Sequence, residues 1–274
     1  MFLTRLGSGI ILVIIALLTM SIGGIPLLVT LTFISMIAYR ELTKALQCAT
    51  DSKKLNALEI TGLIGVCAHY AAVYFSEELN YMLMCIAGVF MVVMFLYVVT
   101  FPKFKAEQVM AAFFAFMYAP LMLSFVYLTR ACPNGFFMVW MILISSWSCD
   151  TCAYVVGKLI GKHKIFPKLS PKKSLEGCIG GVLGSALLGG LYGRFFVEQV
   201  TPDQRVTWII AFICAVGAIM SMVGDLAASA IKRNHNIKDY GTLIPGHGGI
   251  MDRFDSMIVT APMIYFLTVL MIRL

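Results

Sequence analysis

The residues best suited to chemistry cluster between positions 221 and 256. Asp225 follows the apolar or neutral run Val206–Gly224 and opens Asp225-Leu-Ala-Ala-Ser229-Ala-Ile-Lys232-Arg233. Helical spacing puts Ser221, Asp225, Ser229 and Lys232 on one face, so a single helix would present two hydroxyls, a carboxylate and an ammonium. Lys238-Asp239-Tyr240-Gly241 comes next, then Ile244-Pro245-Gly246-His247-Gly248-Gly249. Three glycines around His247 make a backbone that can turn sharply and approach a ligand closely. Asp252-Arg253-Phe254-Asp255-Ser256 follows, and on a helix Asp252, Asp255 and Ser256 share a face. Carboxylates and hydroxyls are hard oxygen ligands suited to Mg²⁺. Lys and Arg bind phosphate oxygens, and a glycine-rich loop offers backbone N–H groups to them. The inventory points to metal-assisted phosphoryl or nucleotidyl transfer. Neither a Walker loop nor a His/Cys metal spacing is present in the sequence.

The elements that must position these groups lie in a membrane. Apolar residue types make up 60% of the 274 residues and charged ones 13%, and mean hydropathy is +0.89. A soluble domain carries about 25% charged residues, so an ordinary soluble fold, a disordered chain and a disulfide scaffold are excluded. The net charge of +7 is then read as basic loops on an anionic membrane face, with no nucleic-acid partner. Charge-free stretches run over Leu6–Tyr39, Ile60–Ser76, Leu79–Pro102, Gln108–Thr129, Ala131–Cys149, Gly177–Gly193, Val206–Gly224 and Ser256–Ile272. The first is long enough for two spans, with Gly23-Gly24-Ile25-Pro26 at its midpoint as the turn. The expectation is an all-α polytopic membrane protein of about nine transmembrane helices. The first span has no clear small-residue cleavage site after it and is read as retained.

With the N-terminus in the cytoplasm, all basic residues but Arg130, Arg194, Arg205 and Arg273 fall on the cytoplasmic side. That bias predicts a cytoplasmic N-terminus and a periplasmic C-terminus. The longest polar connections, 40–58, 158–176 and 232–255, are then all cytoplasmic. Residues 1–274 read as one integral membrane domain. Residues 1–130 supply N-terminal helices for the membrane core, and 131–274 carry the motifs. Asp150 sits where one apolar run ends and another follows, near the cytoplasmic side by this layout. An Asp deep in a span costs about 2.5–3.5 kcal/mol, so it has a partner or a function unless it reaches the interface.

Several features have bland readings. Cys149 and Cys152 form a CxxC, but Cys inside apolar runs acts as a small hydrophobe. His69 reads as packed and hydrogen-bonded, His163 and His235 as solvated, and Glu59 as an acid at a span start. Pro120 predicts a kink. The four-residue steps Gly180–Gly184 and Ser185–Gly189–Gly193 permit close helix contact within the chain, with a homodimer seam as the alternative.

A second block accompanies the first: Asp150-Thr151-Cys152-Ala153-Tyr154-x-x-Gly157, then Ser170-Pro171-Lys172-Lys173-Ser174-Leu175-Glu176-Gly177. Together with the pattern from Ser229 to Asp255, it resembles the phosphatidate cytidylyltransferases (CDP-diacylglycerol synthases), and most closely in layout the bacterial members. Cys149, Ser174 and Leu175 stand where that family often has Asn, Thr and Trp. The resemblance implies transfer of CMP from CTP to phosphatidate, with pyrophosphate released, at the cytoplasmic face of a bacterial inner membrane. It implies Mg²⁺ and a second cation such as K⁺, with Asp225, Asp252 and Asp255 as the metal centre. Lys232 and His247 would then act at the phosphates. Asp150, Ser170, Lys172, Lys173, Glu176, Ser229, Arg233, Lys238, Asp239, Gly248, Gly249 and Arg253 would bind substrate among the membrane lipids. Two alternatives share the inventory. One is a CTP-dependent polyprenol or phytol kinase. The other is an ion-coupled transporter that uses Asp150 and Asp225 near the bilayer midplane.

Overall fold

The structure is a computed structural model that describes residues 2–48, 54–75, 79–201, 205–244, 246 and 248–272. Lys53, Pro245, His247 and Arg273 lie outside the described residues. The expected phosphate role of His247 therefore has no structural counterpart here.

Every element among the described residues is helical, apart from two isolated bridge pairs. We number the helices α1 (Phe2–Ile22), α2 (Gly24–Ala45), α3 (Ala57–Phe75), α4 (Leu79–Val99) and α5 (Ala106–Ala131). They continue with α6 (Gly135–Ile160), α7 (Leu175–Val197), α8 (Arg205–Asn234) and α9 (Met251–Met271). Eight of these, α2 to α9, are long and apolar enough to cross a membrane. The apolar stretch Gly9–Ile22 of α1 is shorter. The all-α membrane class holds, and each predicted span has its helix.

Local rules explain most of the boundaries. Gly23 adopts φ 71° and Gly24 φ 52°, a left-handed pair that breaks α1 from α2 where the turn was expected. Asn56 and Glu59 cap α3 reciprocally. The Asn56 amide donates to Glu59 Oε2 at 3.0 Å, and the Glu59 amide donates to Asn56 Oδ1 at 2.9 Å. Glu59 is therefore a buried cap at the start of α3. Pro120 cannot donate a backbone hydrogen bond, and α5 widens into a π turn over Met117–Leu121 around it.

Two helices run past the charge-free stretches that mark their spans, α8 through Lys232 as its one-face spacing expects. α6 continues ten residues beyond Asp150 and α8 nine beyond Asp225. At 1.5 Å per residue, both acids sit about 13–15 Å inside their helix ends. Asp150 lies inside α6, and the second apolar run, with Ala153, Val155, Val156, Leu159 and Ile160, carries the helix onward.

The chain divides into two compact units. One comprises Met1–Leu128 with Asn234–Arg253, the other Thr129–Arg233 with Phe254–Leu274. In the first, buried polar groups find one another, as a lipid environment requires. Ser35 Oγ and Tyr70 OH pair at 2.7 Å, and His69 Nε2 pairs with Ser124 Oγ at 3.0 Å. Cys48 is buried beside Glu59, and burial with that nearby charge pushes its thiol up to about 12. In the second unit α7 lies along α6. A Cβ at Gly180 would strike Val156, at Gly181 Cys149, and at Gly184 Cys152. Ser185 Oγ pairs with Ser148 Oγ at 2.8 Å. The small-residue steps of α7 are thus used for packing inside the chain, as the main reading expected. Cys149 and Cys152 are free thiols that serve the same packing.

Candidate active site

In the second unit three helices each bring one acid into a common neighbourhood. Asp150 comes from α6, Asp225 from α8 and Asp255 from α9. Asp150 and Asp255 each feel the charge of Asp225, and Asp255 also feels Asp150 and Lys232. Lys173, from the segment before α7, places Nζ 2.5 Å from Asp225 Oδ2. Gly224 makes the approach of α8 to α9 close: a Cβ there would lie 2.5 Å from the Asp255 carbonyl oxygen. Asp255 Oδ1 accepts the Ser256 amide at 2.7 Å. Ser221, one turn before Asp225, is buried, and its hydroxyl makes no hydrogen bond among the described residues.

Beside this cluster lies a cleft of about 160 Å³ lined by Asp150, Tyr154, Lys172, Lys173, Ser174 and Met222 among others. The segment that delivers the two lysines is folded back on the start of α7. The Leu175 amide donates to the His163 carbonyl at 2.8 Å, and Lys164 Nζ donates to the Lys172 carbonyl at 3.2 Å. Ser174 caps α7 by accepting the Gly177 amide at 3.3 Å. Glu176 accepts from the backbone amides of Lys162 and His163, and its Oε1 lies 2.5 Å from His163 Nδ1. Glu176 thereby holds the segment in place, a role the sequence reading did not give it. His163 has a carboxylate partner although its side chain is exposed. Ser170 is half-buried in the same segment. Ser229 and Lys232 follow Asp225 at helical spacing and are half-buried, while Arg233 is exposed.

The first unit holds the glycine-rich loop. Ile244 donates its amide to the Gly248 carbonyl at 3.0 Å, and Gly248 has φ +82°. Asp252 is buried and turned onto this loop, where Oδ2 accepts the Tyr240 amide at 2.8 Å and the Gly249 amide at 3.0 Å. A side chain at Gly248 would crowd that oxygen, 2.9 Å away. Lys238, Asp239 and Arg253 are exposed.

Glu41 is the residue that sequence reasoning missed. It lies in the last two turns of α2 and is only 9% exposed. Its carboxylate accepts the amides of Ile250 at 3.1 Å and Met251 at 2.8 Å. It also occupies the space that side chains at Gly241 and Gly249 would need. An acid in the sequence Tyr39-Arg40-Glu41-Leu42 looks like a loop-facing charge, and no spacing rule ties it to position 251.

Asp150, Asp225 and Asp255 offer hard oxygens of the kind a divalent cation takes, with the ammonium groups of Lys173 and Lys232 near them. Among the described residues no group of three or more His, Cys, Asp or Glu side chains is gathered closely enough to hold a metal ion.

The whole chain is similar to proteins of known kind. A family model described as the cytidylyltransferase family matches residues 3–271. A phosphatidate cytidylyltransferase of Bacillus subtilis (strain 168) is 28% identical over 274 residues, 97% of each chain. One of Rickettsia bellii (strain RML369-C) is 31% identical over 224 residues, 80% of this chain and 94% of the relative. One of Staphylococcus saprophyticus is 31% identical over 163 residues, 58% of this chain and 59% of the relative.

Proposed function

The chain belongs to the cytidylyltransferase family, and from that premise we propose that it transfers CMP from CTP to phosphatidate, giving CDP-diacylglycerol and pyrophosphate. The observation that carries this reading is the meeting of Asp150, Lys173, Asp225 and Asp255 from three helices and a lysine-bearing segment. Those residues are drawn from both sequence blocks that resemble the family.

A phosphatidate oxygen attacks the α-phosphorus of CTP, and the bond to the pyrophosphate oxygen breaks in line. Lys172 and Lys173 line the cleft and hold phosphate oxygens there. Lys232 and Arg233, at the end of α8, serve the same chemistry, as do Lys238 and Arg253 beside the glycine-rich loop. Asp225 and Asp255, with Asp252 from the first turn of α9, are the proposed ligands of Mg²⁺. Bound there, Mg²⁺ supplies charge neutralisation and alignment of phosphate oxygens, and K⁺ is the proposed second cation. Asp225 has a second duty that needs no metal, since it fixes the Lys173 ammonium at the cleft. Ser229 stands one turn from Asp225 and offers a hydroxyl to the same phosphates. Gly248 and Gly249 leave room for the Asp252 and Glu41 carboxylates that anchor the loop, with Asp239 beside Gly248, and the loop so held is the proposed phosphate-binding segment.

The protein is a multi-pass membrane protein. We place it in the inner membrane of a bacterial cell with the N-terminus cytoplasmic, because the basic loops then share the face on which CTP is available. The test is incorporation of labelled CTP into a chloroform-soluble product by purified protein, dependent on added phosphatidate and on Mg²⁺. Absence of product with phosphatidate, CTP and Mg²⁺ all present overturns the assignment.

A further inference from the structure

The first unit holds a cavity of its own, lined by none of the residues of the Asp150–Asp225–Asp255 cluster. It measures about 360 Å³ and opens between the C-terminal part of α2, the start of the α3 segment and residues 240–243. Arg40, Lys44 and Lys54 line it together with Glu41 and Glu59. Both carboxylates are already committed. Glu41 accepts the amides of Ile250 and Met251, and Glu59 accepts the Asn56 amide at 3.0 Å and the Thr43 hydroxyl at 3.4 Å. The three cations differ: among the described residues no carboxylate pairs with Arg40, Lys44 or Lys54. All three are exposed. Three cations with no carboxylate partner among the described residues, lining one concave space, raise the local concentration of anions and offer charge-assisted hydrogen bonds to them.

The position of the cavity narrows the ligand. Arg40 and Lys44 fall in the last two turns of α2, a candidate membrane span ending at Ala45. Basic residues there stand at headgroup level, where lipid phosphates are held. Ile37 and Leu243 add apolar wall beside the cations. We propose that this cavity binds a phosphate group, carried by the headgroup of an anionic lipid or by a soluble phosphate ester. Glu41 belongs both to the cavity and to the hydrogen bonds that hold Ile250 and Met251. Occupation of the site therefore steadies the loop that follows Tyr240.

Hydrogen exchange on the full chain in neutral detergent, without CTP or Mg²⁺, tests this apart from the transfer reaction. The probes are dihexanoyl phosphatidylglycerol, glycerol 3-phosphate and, as the zwitterionic control, dihexanoyl phosphatidylcholine. The expected result is slowed exchange at residues 240–244 and 54–58 with the first probe, or with the first two. Protection by the lipid alone assigns the site to a headgroup, and protection by both assigns it to phosphate as such. The half-saturating concentration rises at least tenfold in Arg40→Gln/Lys44→Gln, on the order of one charge-assisted hydrogen bond lost. Both side chains are exposed, so the variant should fold, and Lys54→Gln gives the same reading from a separate segment. Equal protection by the phosphatidylcholine, no protection by either anion, or unchanged half-saturation in both variants overturns the proposal.

Discussion

Glu41 Oε2 accepts the backbone amide of Met251 at 2.8 Å, across 210 residues of chain. Its other oxygen takes the neighbouring Ile250 amide. These two amides stand at the start of α9, where no earlier helical carbonyl is available to them. Glu41 thus performs from a distant helix the task of an N-terminal cap. A carboxylate at a helix N-terminus is also favoured by the helix dipole.

Glu41→Ala should leave two buried N–H groups without a partner, at about 1–3 kcal/mol each. The expected loss is about 2–6 kcal/mol, with faster amide exchange at residues 249–251. Glu41→Gln retains one carbonyl acceptor and should lose roughly half as much. Thermal unfolding in detergent measures both. Equal midpoints for wild type and Glu41→Ala would remove Glu41 from this role.

Legibility in the sequence followed the range of each interaction. The break at Gly23-Gly24, the disturbance at Pro120 and the packing steps of α7 were readable, because each depends on residues within one or two turns. The phosphate-type chemistry was readable because its acids, lysines and glycines recur in fixed spacing. The full length of α6 is less legible, because Asp150 interrupts its apolar run. Asp150 is carried inside the helix, with Lys173 and Asp225 near enough to share its field. Glu41 was invisible because its partners are backbone amides, which leave no residue type to recognise.

Gly224 should not tolerate a side chain. In Gly224→Ala the new Cβ meets the Asp255 carbonyl oxygen at 2.5 Å and the Ser256 Cα at 3.3 Å, both backbone atoms that cannot swing away. A cost of about 1–3 kcal/mol is expected from overpacking, together with lost turnover as Asp255 is displaced. Gly88→Ala is the contrast, since nothing lies within 4 Å of its added Cβ. It should raise stability by about 0.5–1 kcal/mol through helix propensity alone. Unfolding midpoints of the two variants moving together would exclude the close approach at Gly224.

The Lys173–Asp225 pair bears on stability and activity together. Its side chains are 22% and 32% exposed, and the Lys173 Nζ itself is buried, so the pair is not a solvent-screened surface bridge and removing one partner leaves a largely covered charge alone. Lys173→Met should therefore lower the unfolding midpoint, and Lys173→Arg should recover much of it. Product formation should fall by about 10²-fold or more, the scale for removing a donor that faces developing charge. Lys173→Arg keeps the charge and should recover part of the rate. A full-rate Lys173→Met enzyme would show that the ammonium does not meet substrate.

Asp252 carries two assignments that one substitution distinguishes. Its Oδ2 accepts the amides of Tyr240 and Gly249, which anchors the glycine-rich loop. It is also a proposed Mg²⁺ ligand. Asp252→Asn keeps a carbonyl oxygen able to accept both amides, so the loop and the unfolding midpoint should be conserved to within about 1 kcal/mol. The amide is a poor substitute for a carboxylate towards a hard cation, so the Mg²⁺ concentration for half-maximal rate should rise at least about tenfold. Asp252→Ala loses the acceptor as well, and should show both the raised Mg²⁺ requirement and faster amide exchange at Tyr240 and Gly249. An Asn variant with an unchanged Mg²⁺ requirement and normal rate would leave Asp252 as the anchor of the loop alone. The metal would then fall to Asp225 and Asp255, with Asp150 as the remaining carboxylate in reach of their field.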